Sequence, residues 1–320
     1  MSDPYDVTTI GETMLRISTP PGHALETSTH ADLRPAGAES NVASALAGLG
    51  RRVAWCGRLP DNPPGRLIAS VLRRSNVDLS LVEWCPTGRV GSFYVELETP
   101  PTPVRVTYDR ADSCAVAMSP DRIDWARLLN TRLLHLTGIT PALSAACRET
   151  TIDAVQRAKH AKVPISFDIN YRSKLWTPEQ AAQTLLPLIQ QIDLLLIGRS
   201  DARDVFDLSG APEQILTALA DRTGAKTIVL TVGGEGVVAL CDGTIHREPA
   251  QPTTILDRLG AGDALAAGVI HGWLDHDLPK ALRFGTALAA KALRTHGDVV
   301  TCGPAELDSL IQTASDRPQR

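Results

Sequence analysis

The residues best suited to chemistry lie in Asp257-Arg-Leu-Gly-Ala-Gly-Asp263. Gly260 and Gly262 flank one alanine, so the main chain there can turn sharply and come close to a ligand. Asp263 opens a run of small residues, Ala264-Leu-Ala-Ala-Gly-Val-Ile-His-Gly-Trp-Leu274, which reads as a tightly packed helix. The first N–H groups of such a helix have no internal acceptor and sit at the positive end of its dipole. Glycine amides beside that terminus suit a phosphate or a developing oxyanion. Asp263 sets a carboxylate in the same place. A fixed negative charge facing an anion makes sense when it takes a proton from an attacking hydroxyl, which points to phosphoryl transfer to an alcohol. An ordinary strand–turn–helix with an Asp near its cap reads the same way from this stretch alone. Two better-known nucleotide motifs are excluded: a dinucleotide fingerprint needs glycine where Leu265 stands, and no Gly-x-x-x-x-Gly-Lys-Ser/Thr run occurs.

The elements that must position these residues alternate along the chain. Residues 6–10 read as a strand ended by Gly11-Glu12. Arg34-Pro-Ala-Gly-Ala-Glu-Ser-Asn41 leads into a helix of small residues at 42–49, with Gly37 before it and Asn41 in its first turn. That is a glycine turn with polar caps, or a place where a sugar meets the backbone and an amide that can donate and accept to hydroxyls. Residues 53–57 read as a strand, 61–65 as a turn and 67–74 as a helix. Strands at 133–138, 164–170 and 193–198 alternate with helices at 144–160 and 178–191. The 193–198 strand is wholly apolar, as in the centre of a parallel sheet. This alternation predicts an α/β fold with a doubly wound, mostly parallel sheet. Residues 227–240 read as two strands joined through Gly233, Gly234 and Gly236, which alone mark only a hairpin. A helix at 278–295 ends at His296-Gly297-Asp298.

The pattern changes near residue 90. Residues 90–97 and 104–110 alternate polar and apolar around Pro100-Pro-Thr-Pro103, predicting an antiparallel hairpin. Segments 13–36 and 88–116 are expected to form a small β-sheet lid over a core built from 1–12, 37–87 and 117–320. The lid carries Tyr94, Tyr108 and Arg110, and on a strand Tyr108 and Arg110 share a face. Alone, they read equally as a solvated edge strand. Arg172 ends Ile165-Ser-Phe-Asp-Ile-Asn-Tyr-Arg172, a buried strand running into a polar loop, where ligands gather in doubly wound folds. Two arginines converging from lid and core would select a carboxylate through paired, charge-assisted hydrogen bonds.

Asp257-Arg-Leu-Gly-Ala-Gly-Asp263 with its Ala-Leu-Ala-Ala-Gly continuation resembles the C-terminal signature of the ribokinase-like (PfkB) sugar kinases, with Arg258 where Thr is usual. This variant, and the Asp-x-Asn-x-Arg pattern of Asp168, Asn170 and Arg172, are similar to those of 2-keto-3-deoxygluconate kinases. The resemblance runs over about residues 7–298, nearly the whole chain. It implies a ribokinase-like fold, Asp263 as catalytic base, and Gly260, Ala261 and Gly262 as the anion hole. It also implies a substrate site of Gly37, Asn41, Tyr94, Tyr108, Arg110, Arg172 and Asp298, although Ala36 replaces the first glycine of the family's N-terminal signature. Asp168, Asn170, Thr231, Gly233, Gly234 and Gly236 would bind nucleotide. Gly198-Arg-Ser-Asp201 stands where the family has Asn-x-x-Glu, so Asp201 is either a ligand for Mg²⁺ through water or simply a residue near a helix N-terminus. The implied activity is ATP-dependent phosphorylation of the terminal hydroxyl of a sugar acid, best matched by 2-keto-3-deoxygluconate going to its 6-phosphate. A neutral-sugar (fructose or ribose) kinase, a nucleoside kinase, and a non-catalytic sugar or nucleotide sensor are the alternatives.

Composition sets the outer bounds. With 320 residues, 43% hydrophobic and 21% charged, the chain has a globular composition. Its net charge of −4 and lack of a basic stripe argue against nucleic acid as a partner. The six cysteines form no Cys-x-x-Cys, which suggests reduced thiols in a cytoplasm. No signal-peptide pattern opens the chain and no apolar run approaches the ~18 residues of a membrane span. A β lid has free edges, and pairing between subunits through the lid is the expected way to cover them.

Overall fold

The computed structural model describes residues 3–97 and 103–315. Its strands are β1 (Val7–Ile10), β2 (Met14–Ser18), β3 (Asp32–Ala36), β4 (Val53–Cys56), β5 (Arg58–Pro60), β6 (Glu83–Cys85), β7 (Ser92–Glu96), β8 (Arg105–Asp109), β9 (Leu134–Thr137), β10 (Ile165–Asp168), β11 (Leu194–Gly198), β12 (Thr227–Thr231), β13 (Val237–Cys241) and β14 (Thr244–Glu248). Eight of them form one sheet in the order β14-β13-β12-β11-β10-β9-β1-β4. From β4 to β12 every pairing is parallel, and β13 and β14 add an antiparallel edge.

Strand side chains alternate between two apolar layers. Val53 and Trp55 pack into the layer with helices Ala38–Gly48, Pro63–Arg74, Ala261–Trp273 and Leu278–Leu293. Ala54 and Cys56 pack into the opposite layer with Ala145–His160, Pro178–Ile189, Arg199–Phe206 and Pro212–Thr223. Helices on both faces make this the expected doubly wound α/β fold. No helix among the described residues is long and apolar enough to cross a membrane.

A second sheet has the order β3-β2-β7-β8. Each of β2–β3 and β7–β8 is an antiparallel pair, and β2 joins β7 in parallel. Met14, Ala36, Phe93 and Val95 form its small apolar core. At its outer edge, Lys174 Nζ donates to the Val106 carbonyl (2.9 Å). Of the Pro100–Pro103 loop, residues 100–102 lie outside the described residues.

Two local readings are corrected, and one strand pair is added. Residues 61–65 are not simply a turn. The helix already starts at Pro63, with prolines in its first turn and the Asn62 side chain accepting from Gly65 N–H (3.1 Å). A short parallel pair, β5 with β6, had no legible periodic signal. The helix expected to open at Asp263 begins at Ala261, because Gly260 makes the left-handed turn (φ 80°) that ends the loop.

Gly37 is extended, so its need is space and not conformation: a Cβ there would lie 2.1 Å from the Glu12 carbonyl. Gly37→Ala is therefore expected to cost ~1–3 kcal/mol of stability through overpacking. Gly262→Ala, where a Cβ meets nothing within 4 Å, should cost none. Urea unfolding of the two variants checks this; equal midpoints would contradict it.

Candidate active site

Four parallel strands end side by side at Thr137, Asp168, Gly198 and Thr231, and the site is built beyond these ends. The glycine loop arrives there from the opposite layer. At Gly260 a Cβ would sit 2.2 Å from the Asp298 carbonyl, so only glycine fits both the turn and the contact. The first helical bond runs from Ala264 N–H to the Gly260 carbonyl (2.9 Å). The N–H groups of Ala261, Gly262 and Asp263 precede it and have no acceptor within the helix. Asp257 holds the loop from behind: its Oδ1 accepts from Leu259 N–H (3.1 Å) and its Oδ2 from Gly297 N–H (3.1 Å).

Asp263, third residue of the helix, is buried and lines an inner cavity of about 80 Å³. Its Oδ2 accepts from Asn41 Nδ2 (2.7 Å), while Asn41 Oδ1 accepts from Gly37 N–H (3.3 Å). Burial pushes the Asp263 carboxyl up to about 6, against the Asn41 bond and the Arg172 charge, which hold it down. Met14, Phe93 and Tyr108 roof the cavity from the lid. Tyr108, Arg110, Arg172 and Leu259 are shared with an adjoining cleft of about 670 Å³. A larger trough of about 830 Å³ lies elsewhere, between residues 125–130 and 153–161, and holds no comparable chemistry.

The two arginines differ. Arg110 donates from Nε (3.0 Å) and Nη2 to Glu12 Oε2, whose other oxygen accepts from Ser113 Oγ (2.6 Å). Glu12 is almost wholly buried, so this is a charge-assisted clamp between the end of β1 and the lid. The Arg172 carbonyl accepts from Leu175 N–H (2.9 Å), but its guanidinium makes no hydrogen bond or ion pair among the described residues and is exposed at the cavity wall.

Of the expected site residues, Gly37, Asn41, Tyr108, Arg110, Arg172, Gly260, Asp263 and Asp298 line the inner cavity together. Tyr94 does not. It stands opposite Thr107, whereas its neighbour Phe93 stands opposite Tyr108 and packs on it (centroids 5.6 Å), so Phe93 takes the inward place. Asp298 does reach the cavity, but its Oδ1 accepts from Arg16 Nη1 (2.6 Å). Asn170 adopts a left-handed conformation (φ 41°) and donates to Asp168 Oδ2 (3.1 Å). Burial, joined by the charges of Asp263 and Asp201, pushes Asp168 up to about 8. Thr231, Gly233, Gly234 and Gly236 lie farther along the same sheet edge, outside the inner cavity. A Cβ at Gly233, Gly234 or Gly262 would meet nothing, so open space stands in front of all three. Asp201 Oδ2 accepts from Tyr171 N–H (3.1 Å), and Ser200 donates to its Oδ1 (3.3 Å). Among the described residues no three His, Cys, Asp or Glu side chains gather into a metal cage.

Three charged residues escaped the reading of the sequence: Glu12, Arg16 and Glu39. Glu39 is buried in the cavity floor, accepts from Thr137 and Thr140 (2.8 Å each), and is pushed up to about 7 by that burial. Its signal was a lone acidic residue between small ones in Gly-Ala-Glu-Ser-Asn, and Arg16 was a lone charge in an otherwise buried strand.

A family model described as pfkB family carbohydrate kinase matches residues 5–304. The chain is 36% identical over 308 residues to 2-dehydro-3-deoxygalactonokinase of Haloferax volcanii, covering 96% of each. It is 32% identical over 274 residues to 2-dehydro-3-deoxygluconokinase of Bacillus subtilis, covering 82% of each. The crystal structure of 2-dehydro-3-deoxygluconokinase from Thermotoga maritima superposes with a TM-score of 0.91 at 30% identity, over 96% of this chain and 98% of that one.

Site-resolved NMR titration should find Asp263 ionising near 6. Asn41→Ala removes a donor to the charged form, so the midpoint should move up. A midpoint that stays put would show that the Asn41 bond does not stabilise the carboxylate.

Proposed function

The chain belongs to the pfkB family of carbohydrate kinases, and we propose that it transfers the γ-phosphoryl group of ATP to the terminal hydroxyl of a 2-keto-3-deoxy sugar acid. The first choice is 2-keto-3-deoxygluconate, giving the 6-phosphate; the galactonate epimer, named for the Haloferax relative, is the second.

Arg172 carries the acid assignment. A guanidinium without an ionic partner, at the wall of the cavity that holds Asp263, is matched by a carboxylate and left unmatched by a neutral sugar. Arg110 adds Nη1, the nitrogen that Glu12 does not engage. In this reading the sugar acid lies with its carboxylate on Arg172 and its terminal hydroxyl at Asp263. Asp263 takes the hydroxyl proton late in a loose transition state, and the upward push of burial on its carboxyl makes it the stronger base for that step. The N–H groups of residues 261–263 meet the charge that spreads over the phosphoryl oxygens. Phe93 and Tyr108 cover the sugar and keep water from the phosphoryl group. The nucleotide would lie along the open front of Gly262, Gly233 and Gly234, towards Thr231 and Gly236, with Asp168 and Asn170 between it and the base. Mg²⁺ on the phosphates would supply charge neutralisation. A single protein carboxylate suits an ion that keeps most of its waters, and Asp201 is that carboxylate.

Assaying a panel of 2-keto-3-deoxy acids, fructose, ribose and adenosine tests the assignment directly; best turnover on a neutral substrate would overturn it. Asp263→Asn should lower kcat by at least ~10²-fold, as general-base losses do. Arg172→Leu should raise KM for acids by ~10–100-fold, the value of a charged hydrogen bond, while leaving any neutral-sugar activity unchanged. Gly262→Ala should fold normally yet lose turnover, because its methyl would stand where the phosphate goes.

A further inference from the structure

Arg16 is the largest charged side chain that is fully buried among the described residues, 1% exposed. It sits on lid strand β2, and every nitrogen has a partner. Nε donates to Ser18 Oγ (2.7 Å), Nη1 to Asp298 Oδ1 (2.6 Å) and Nη2 to Asp257 Oδ2 (2.5 Å). One planar group thus joins the lid, the residue that opens the glycine loop, and the residue that follows Gly297.

Both carboxylates bear on the reacting centre. Asp257 holds the amides of Leu259 and Gly297, which bracket the loop, and the Asp298 carbonyl presses on Gly260. Asp298 also lines the inner cavity, and its negative charge acts on Asp263. Burial alone would weaken Arg16 as a cation, but its pairing with Asp298 and Asp257 outweighs this and fixes it in the charged form. Without it, two carboxylates would stand buried and uncompensated, an expensive arrangement in a protein interior.

We propose that Arg16 is a positioning residue for the transfer step, acting through Asp257 and Asp298 to set the loop amides and to cancel the field of Asp298 at Asp263. The inference rests on the reading of Asp263 as the base. It assigns Arg16 no contact with substrate.

The test is the pH dependence of kcat/KM, with melting temperature measured alongside. The groups facing Asp263 are Asn41 and Glu39 from the helix that opens at Ala38, Asp168, Asn170 and Arg172 from the end of β10 and its loop, and Asp298. Arg16→Met should lower kcat by about tenfold or more with KM little changed, and should move the acid limb to higher pH by roughly half a unit or more, since an unpaired negative neighbour favours the protonated base. The double variant Arg16→Met/Asp298→Asn should bring the limb back. If Arg16→Met does not fold, Asp298→Asn alone decides: with Arg16 retained, the limb should move to lower pH. Arg16→Lys should fall between wild type and Arg16→Met. A folded Arg16→Met with a lower melting temperature but an unmoved acid limb and normal kcat would reduce Arg16 to a structural strut and overturn the proposal. So would an Asp298→Asn limb that does not move. Asp263→Asn, run in parallel, separates the two claims. If it turns over normally, the base assignment fails and takes this inference with it; if it is dead while Arg16→Met is normal, only the inference fails.

Discussion

A carboxylate kept from water ionises only where its neighbours favour the charge, and most of the structure around Asp263 bears on that constraint. Burial drives the group towards its neutral form. The Asn41 amide, the guanidinium of Arg172 and the Asn170 side chain push the other way. Asn41 is itself oriented by the Gly37 amide, and Gly37 exists as glycine because the Glu12 carbonyl lies against it. The end of β1, the turn into the first helix and Asp263 are therefore one chain of contacts. A shift at Gly37 reaches Asp263 through a single side chain, Asn41.

Charge is distributed in the same economical way across the cavity. Each buried anion other than Asp263 is answered from within: Glu12 by Arg110 and Ser113, Asp257 and Asp298 by Arg16, Glu39 by two threonine hydroxyls. Arg172 alone among the cavity's arginines makes no close ion pair in the described structure, although its charge acts on Asp263, Asp168 and Asp201. The cavity thus has one guanidinium with its hydrogen-bond donors uncommitted to the protein, set apart from the bond between Asn41 and Asp263.

Much of this was legible beforehand, for definite reasons. The alternation of apolar strands with helices dictates the doubly wound sheet, and parallel strands bring Thr137, Asp168, Gly198 and Thr231 to one edge whatever the details. The glycine loop announced itself because its chemistry is local. Arg16 did not, because its partners lie 241 and 282 positions away, and a lone arginine in a strand says nothing about what it meets. Glu12 was hidden likewise, with Arg110 98 positions off. Tyr94 failed on register: one step along a strand reverses the face, and the turn that sets the pairing of β7 with β8 carried no readable type. The helix start at Ala261 was missed by two residues because the left-handed turn at Gly260 ends the loop earlier than the first acidic residue suggests.

The lid's central pairing, β2 beside β7 in parallel, has a consequence for how the molecule is assembled. Leu15 meets Ser92 and Ser18 meets Val95, while the chain between them lays down β4, the helix Pro63–Arg74 and the β5–β6 pair. Closing so long a stretch is entropically dear, and non-local parallel contacts form slowly. Any chain in which that pairing has yet to form would show the bare edges of β2 and β7 to its neighbours.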